Sequence, residues 1–226
     1  MAARELASGL WTLDGPLRVG GLELGTRTTA IRLSAGGLWV HSPGPLDDSA
    51  RAALEKNGPV RALVAPNAMH HLFLPENATA FPEAQVWAAP GVRAKREEIA
   101  EIHELGESAP DLWSADLQQL AIGGVPRLTE FAFFHPASRT LLLTDLCFNV
   151  RRSDSWLVRT FMRLNQAWER FGPSRVMRSM IRDKSALRAS LDRVLAWDFD
   201  RVIVTHGDVL ESGGREALRD AFAPFC

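Results

Sequence analysis

Three polar sites in this 226-residue chain share one local context. His70 and His71 follow the apolar run "RALVAP", Asp145 follows "RTLLLT", and His206 follows "RVIVT". A buried strand fixes the backbone and the loop leaving it exposes the side chain, so functional groups of α/β folds gather at strand ends. Neutral imidazoles and a carboxylate are the donors that zinc or iron prefers, and these four residues would complete a coordination sphere. Each also has a plainer reading. A lone strand-end His is a hydrogen-bonding cap, and an Asp after a strand is a helix N-cap. Neighbours on an extended strand point to opposite faces, so both imidazoles of "VAPNAMHHLFLPE" reach one ion only from a turn or helix start after Pro66.

The elements that must position these residues read as strands first, then strands alternating with helices. "PLRVGGLELGTRTTAIRLSAGGLWVHSP" has apolar runs punctuated by Gly-Gly pairs, the pattern of an antiparallel meander. "PLDDSARAALEKNG" is a helix with Asp47 or Asp48 as N-cap and Gly58 as its stop. "VRALVAP" and "AQVWAAPG" are strands, and "VRAKREEIAEI" is a short helix. "LQQLAIGG" and "LTEFAFFHP" are paired strands, and "RTLLLTD" and "DRVIVTHGD" are buried ones. Residues 150–195 are mostly helical, with "WLVRTFMRLNQAWERF" as one amphipathic helix. "SGGREALRDAFAP" closes the chain as a helix. The class is α/β, with no repeat and no domain boundary.

Composition bounds the function. The chain is 46% hydrophobic with a formal net charge of -1, which suits a globular core and argues against a basic nucleic-acid binder. Two cysteines, Cys147 and Cys226, make no disulfide framework, so a reducing compartment is expected. Cys147 has apolar neighbours and reads as a packing residue. The N-terminus lacks an apolar signal core, and no apolar run is long enough to span a bilayer, so the expected location is the cytoplasm. From Arg151 to Arg193 there are eleven Arg or Lys against four Asp or Glu, with aromatic residues interleaved. Three readings fit this segment: core helices with a solvated basic face, a lid presenting arginines to an anionic substrate, or a basic face that contacts anionic membrane surfaces. "TLDGPLRVGG" could form an exposed strand edge used in dimerisation; the oligomeric state is open.

The order of motifs resembles the metallo-β-lactamase fold. In that superfamily a strand leads into HxHxDH, a later strand ends in Asp, and a last strand ends in His. This chain has "PNAMHHLF", "TLLLTDLCF" and "VIVTHGD" at those places, and the resemblance runs from about Leu17 to the end. It is similar to an uncharacterised branch carrying the PNxxHHLF form. Laying "HH" on the family's "DH" puts Pro66 and Ala68 where two metal-binding histidines belong. The family's third His motif falls near Pro126, and Glu130 is the nearest carboxylate. The resemblance thus implies a dismantled first metal site and a rebuilt second one: His70, His71, Asp145 and His206 around a single zinc, with iron as the alternative.

The resemblance also implies a four-layer αββα sandwich in one domain, 1–226, with the basic helical segment at about 150–195 as an insertion. The activity implied is a metal-dependent hydrolase acting on a small, anionic molecule. Asp145 would be a ligand or the base that activates water. Asn67 would bind substrate or an oxyanion, or form an Asx turn. His41 sits where the family often has an Asp, and reads either as a residue orienting a ligand or as a surface-loop His. Asp208 would hydrogen-bond a ligand imidazole. His103 reads as an exposed helix residue and His135 as a turn residue. Two alternatives remain: a non-catalytic binding or scaffold protein on this fold with a structural metal or none, and an unrelated α/β domain whose His and Asp residues are ordinary caps.

Overall fold

A computed structural model of the chain describes residues 3–225, so the expectation on Cys226 falls outside the described residues. The first half builds strands β1 (Arg4–Ala7), β2 (Leu10–Gly15), β3 (Arg18–Val19), β4 (Leu22–Glu23), β5 (Thr26–Arg32) and β6 (Leu38–His41), helix α1 (Asp48–Glu55), strand β7 (Val60–Ala65), helix α2 (Leu74–Ala80), and strands β8 (Gln85–Ala88) and β9 (His103–Glu104). The second half adds β10 (Gln118–Ala121), β11 (Phe131–His135), β12 (Thr140–Leu143), α3 (Trp156–Leu164), α4 (Arg175–Ser179), α5 (Lys184–Leu195), β13 (Arg201–Val204) and α6 (Gly214–Phe222). One sheet has the order β1-β2-β5-β6-β7-β8-β9, and a second has β10-β11-β12-β13. The expected meander is antiparallel through β2, β5 and β6, while β3 and β4 leave it as a small separate hairpin. From β6 onward the first sheet is parallel, and β12 and β13 are parallel in the second.

The strict alternation of strand residues between faces accounts for the layers. In β6 and β7, Leu38, Val40, Leu63 and Ala65 face one way and pack with Ala50 and Leu54 of α1 and Leu74 of α2. Their neighbours Trp39, Ala62 and Val64 face the other way and meet Phe131, Phe133, Leu142 and Ile203 of the second sheet. The outer face of that sheet, with Phe134, Leu141, Leu143 and Val202, packs on Leu187 and Leu191 of α5 and Leu218 and Phe222 of α6. The result is helix, sheet, sheet, helix. A fourth, smaller cluster packs Val158 and Met162 of α3 with Val150 and Ala167, against Leu22 and Leu24 beside the hairpin.

Local signals hold at many ends. Asp47 caps α1, its carboxylate accepting the Ala50 N–H at 2.7 Å. Two expectations fail for tertiary reasons. "VRAKREEIAEI" forms only a single 3₁₀ turn at Arg93–Lys95. Lys95 and Arg96 instead reach back to the Ala68 and His71 carbonyls, and such anchors override local propensity. The helix expected to run through "NQAWERF" stops at Leu164, because Gln166 and Glu169 take left-handed backbone and the segment returns to pair at Val150–Trp168 and Phe148–Gly172. His103 is correspondingly corrected: it lies on β9, half-buried against the Trp87 ring at 4.7 Å. His135 ends β11 and bonds Ser138 in the turn that follows.

The space between the sheets is aromatic, with Trp39 edge-on to Phe133 at a 4.9 Å centroid distance. Phe133→Ala should lower unfolding stability by about 3–5 kcal/mol, read as a shifted urea midpoint with little change in slope.

Candidate metal centre

The chain leaves β7 at Pro66 and crosses at once to the other sheet. Phe131 N–H donates to the Pro66 carbonyl at 2.9 Å, and Ala68 N–H donates to that of Leu128 at 3.0 Å. Asn67 is fully buried in this crossing. Its Oδ1 accepts the N–H groups of Met69 (2.8 Å) and His70 (2.9 Å), an Asx turn that aims the His70 ring. Its Nδ2 donates to Asp145 Oδ2 (2.8 Å) and Thr144 Oγ1 (2.9 Å), with Glu130 Oε2 at 3.2 Å. Both polar atoms of the Asn67 side chain are thus engaged within the protein. It is a positioning residue, which corrects its assignment to substrate or oxyanion contact.

Glu130 anchors the opposite side. Its carboxylate is buried and accepts three backbone N–H groups just past β12: Thr144 (2.8 Å), Asp145 (2.8 Å) and Leu146 (3.0 Å). Burial, then the charge of Asp145, push its pKa up, against those hydrogen bonds. The same burial and the charge of Glu130 hold the Cys147 thiol well above its usual range, as suits an inert packing residue.

His70, Asp145 and His206 converge, with one ligand atom from each within 4.8 Å of the others. His70 Nε2 lies 3.0 Å from Asp145 Oδ2, and His206 Nε2 lies 3.4 Å from Asp145 Oδ1. The far nitrogens are engaged: His206 Nδ1 meets the Gly25 carbonyl and His70 Nδ1 the Ser42 hydroxyl, each at 2.8 Å. A carbonyl only accepts, so His206 carries its proton on Nδ1 and, when neutral, turns a bare Nε2 lone pair toward a carboxylate. That arrangement is repulsive unless a cation or proton lies between them, and it matches the outer support that metal-binding histidines receive. Burial works against ionising Asp145, but the charge of His70 and the hydrogen bonds that both imidazoles give when protonated hold its pKa well below the usual carboxylate range. Burial likewise depresses His70, and the charge and hydrogen bond of Asp145, with Glu130, more than reverse it, leaving the pKa raised.

His71 does not join this group. Arg96 Nε donates to its Nδ1 at 2.9 Å, so a neutral ring carries its proton on Nε2 and offers an N–H rather than a lone pair. Burial, then Arg96 and Lys95, lower its pKa to about 4. The pair of adjacent histidines therefore splits, one ring entering the group and the other facing the cavity beside it. His41 is not on the surface: it is buried between the sheets, stacked on Trp39 at 5.6 Å and edge-on to Phe133 at 5.5 Å. Alternation with Trp39 two residues earlier is the signal that would have placed it there. Asp208 pairs with Arg152 at 3.4 Å rather than with an imidazole, since the Gly25 carbonyl holds His206 instead.

Three supporting residues escaped the sequence reading. Ser42 takes left-handed backbone (φ 51°) directly after β6, which turns its hydroxyl to His70. Arg27, buried on β5, donates to the carbonyls of Val204 (2.9 Å) and Gly207 (2.6 Å), gripping the loop that carries His206, and its Nε pairs with Asp14 at 2.7 Å. Gly207 has φ +103°, and a Cβ there would lie 2.3 Å from the Asn149 carbonyl carbon and oxygen, so only glycine fits against the segment beyond Asp145. That last signal was visible in "THGD".

A cavity of about 510 Å³ opens over the group, and His71, Lys95, Phe161, Met162, Val176 and Met177 are among its lining residues. Helices α3 and α4 thus do border the site, but among the described residues no arginine lines the cavity. The amphipathic helices turn apolar side chains inward and leave their cations outside the lining.

The architecture and this site define a metallo-β-lactamase fold. It is similar, at 14% identity and TM-score 0.63, to a metallo-β-lactamase from Hirschia baltica, over 99% of this chain and 96% of that one. A metallo-β-lactamase from Pseudomonas aeruginosa in its mono-zinc form matches at 12% identity and TM-score 0.63, over 100% and 93%. A metal-soaked flavodiiron core from Synechocystis sp. PCC6803 matches at 13% identity and TM-score 0.66, over 99% of this chain and 60% of that one. No curated protein matches by sequence. The chain belongs to the family described as "Domain of unknown function (DUF4336)", which matches residues 8–167.

Two predictions follow from the geometry. Burial, then the neighbouring His70, lower the His41 pKa to about 3 from 6.5. The unfolded chain therefore binds a proton that the folded chain refuses, so stability falls as pH drops from about 6.5 toward 3. Urea unfolding should show His41 contributing up to about 1.4 kcal/mol per pH unit in that window, and His41→Leu should flatten the profile. Glu130→Ala strands three buried N–H groups and should cost at least about 2–3 kcal/mol, read as a lower thermal midpoint.

Proposed function

We propose that the protein is a metal-dependent hydrolase that uses one divalent ion held by His70, Asp145 and His206. The observation that carries this reading is the convergence of two imidazoles and a carboxylate whose far atoms are already bonded to the protein, at the floor of a cavity. Three protein ligands leave coordination positions open, as in catalytic rather than structural zinc sites. When bound, such an ion supplies Lewis-acid polarisation of a substrate oxygen and a more acidic water. The chain's own residues divide the remaining work. Asn67 fixes the Asp145 carboxylate from one side. Glu130 fixes its backbone from the other. His71, kept neutral by burial and by Arg96, lines the cavity and would donate its Nε2–H to an oxygen of the substrate.

The family's usual first site is absent in this reading, since Pro66 and Ala68 supply no ligand atoms. Zinc and iron both suit the donor set. Protein purified without a histidine tag or added metal should contain about one divalent ion per chain by elemental analysis. His206→Ala should lose it, and Ser42→Ala, which removes only the hydroxyl behind His70, should weaken metal affinity about 10–100-fold. Chelation should abolish turnover of an ester, thioester and phosphodiester panel, and the metal should restore it. Protein that stays metal-free after equilibration with zinc or iron would overturn the reading in favour of a non-catalytic binding protein.

A further inference from the structure

The walls of the cavity are not explained by the polar group at its floor. The volume of about 510 Å³ is that of a small-molecule site. Away from the floor the lining is hydrocarbon and thioether, with Leu24 beside the hairpin, Phe148 beyond Asp145, Phe161 of α3, Val176 and Met177 of α4, and Met180 just after it. Three polar side chains among these walls bond to backbone. Lys95 Nζ donates to the Ala68 carbonyl (2.7 Å), Asn165 Nδ2 to that of Phe161 (3.0 Å), and Ser174 Oγ accepts the Met177 N–H (3.1 Å). At the mouth, Val19, Met69, Leu72, Phe161 and Val176 line the cavity while remaining between 37% and 53% exposed. Large exposed apolar side chains around a concave apolar site mark a ligand groove, and methionines give its wall the freedom to fit a flexible chain. A small anion would find no arginine here, and the one lysine of the lining, Lys95, already spends a donor on the Ala68 carbonyl.

We propose that the cavity takes an amphiphile: one aliphatic chain lies along α3, α4 and the β3–β4 hairpin, and its polar head sits at His70, Asp145, His206 and His71. The binding stands on the cavity alone, while the reaction rests on the hydrolase reading, under which the substrate is an ester of a long-chain acid. In its hydrolysis the bond from the acyl carbon to the alkoxy oxygen breaks and the acyl carbon bonds to the oxygen of water. One water hydrogen leaves with the alkoxy oxygen as the alcohol, and the other goes with the carboxylic acid.

The test is displacement of a fluorescent long-chain fatty acid by saturated fatty acids of increasing length, with metal content measured in parallel. Affinity should rise about fourfold per methylene until the cavity is filled. Val176→Asp and Phe161→Asp, both at partly exposed positions, should weaken binding of the fluorescent acid about tenfold or more while circular dichroism and metal content stay unchanged. Affinity independent of chain length, or folded variants that bind as the parent does, would overturn the inference. Chain-length-dependent binding by protein that takes up no metal would keep the amphiphile and remove the hydrolase. Metal-dependent turnover that is equal for acetate and dodecanoate esters, with no binding of the fluorescent acid, would do the reverse. Pelleting with phosphatidylglycerol vesicles, lost in the same variants, would place the chain's source in a bilayer. Binding of the dissolved acid without pelleting would place it in solution.

Discussion

A buried carboxylate, in direct contact with no cation among the described residues, sits where the two sheets meet, and the polar architecture around it satisfies it. Glu130 is held by three successive N–H groups beyond β12 and approached by the amide of Asn67 from the loop beyond β7. A buried carboxyl group is tolerated only with such complete hydrogen bonding, so the two strand ends are not free to separate. One bond further on, the same Asn67 sets His70 through its Oδ1 and Asp145 through its Nδ2. The relative position of two of the three converging side chains is therefore fixed by one carboxylate and one amide.

The third side chain is placed from β5 of the first sheet and the residue before it. Arg27 reaches from the first sheet to the carbonyls of Val204 and Gly207, and Gly25 accepts from the His206 ring. Arg27 lies on β5 and Gly25 just before it, directly after the small hairpin, and the hairpin packs against the α3 cluster. Segments that orient the site thus also build the wall above it. Any movement of α3 or the hairpin would be felt both by the cavity and by the chain that grips His206.

The segment from 150 to 195 joins two properties on separate faces. Its excess of positive charge suggests an anion, yet its contribution to the cavity is Phe161, Met162, Val176 and Met177. Amphipathic helices separate the two by geometry, since residues three and four apart share a face. Charge counted along the chain therefore misdirects a substrate argument unless it is known which face turns inward. Among the described residues no helix is long and apolar enough to cross a membrane.

The strand ends were legible in the sequence because the buried strands before His70, Asp145 and His206 are short apolar runs, and the resemblance to the metallo-β-lactamase fold supplied the layer order. An aspartate cap at 47 or 48, the β10–β11 pairing and the packing role of Cys147 were legible for the same local reason. What the sequence left open was decided by contacts distant in the chain. Which of His70 and His71 enters the group depends on Arg96, 25 residues later, claiming one ring. Asn67 became a brace rather than a substrate contact because Glu130 and Asp145 meet it from the other sheet. The 92–102 segment gave up its helix to anchors on the 68–71 loop. Sequence determines the types of the side chains and the period that assigns each to a face. Only the tertiary structure brings a particular donor to a particular acceptor, because a hydrogen bond depends on distance and angle, which spacing along the chain does not fix.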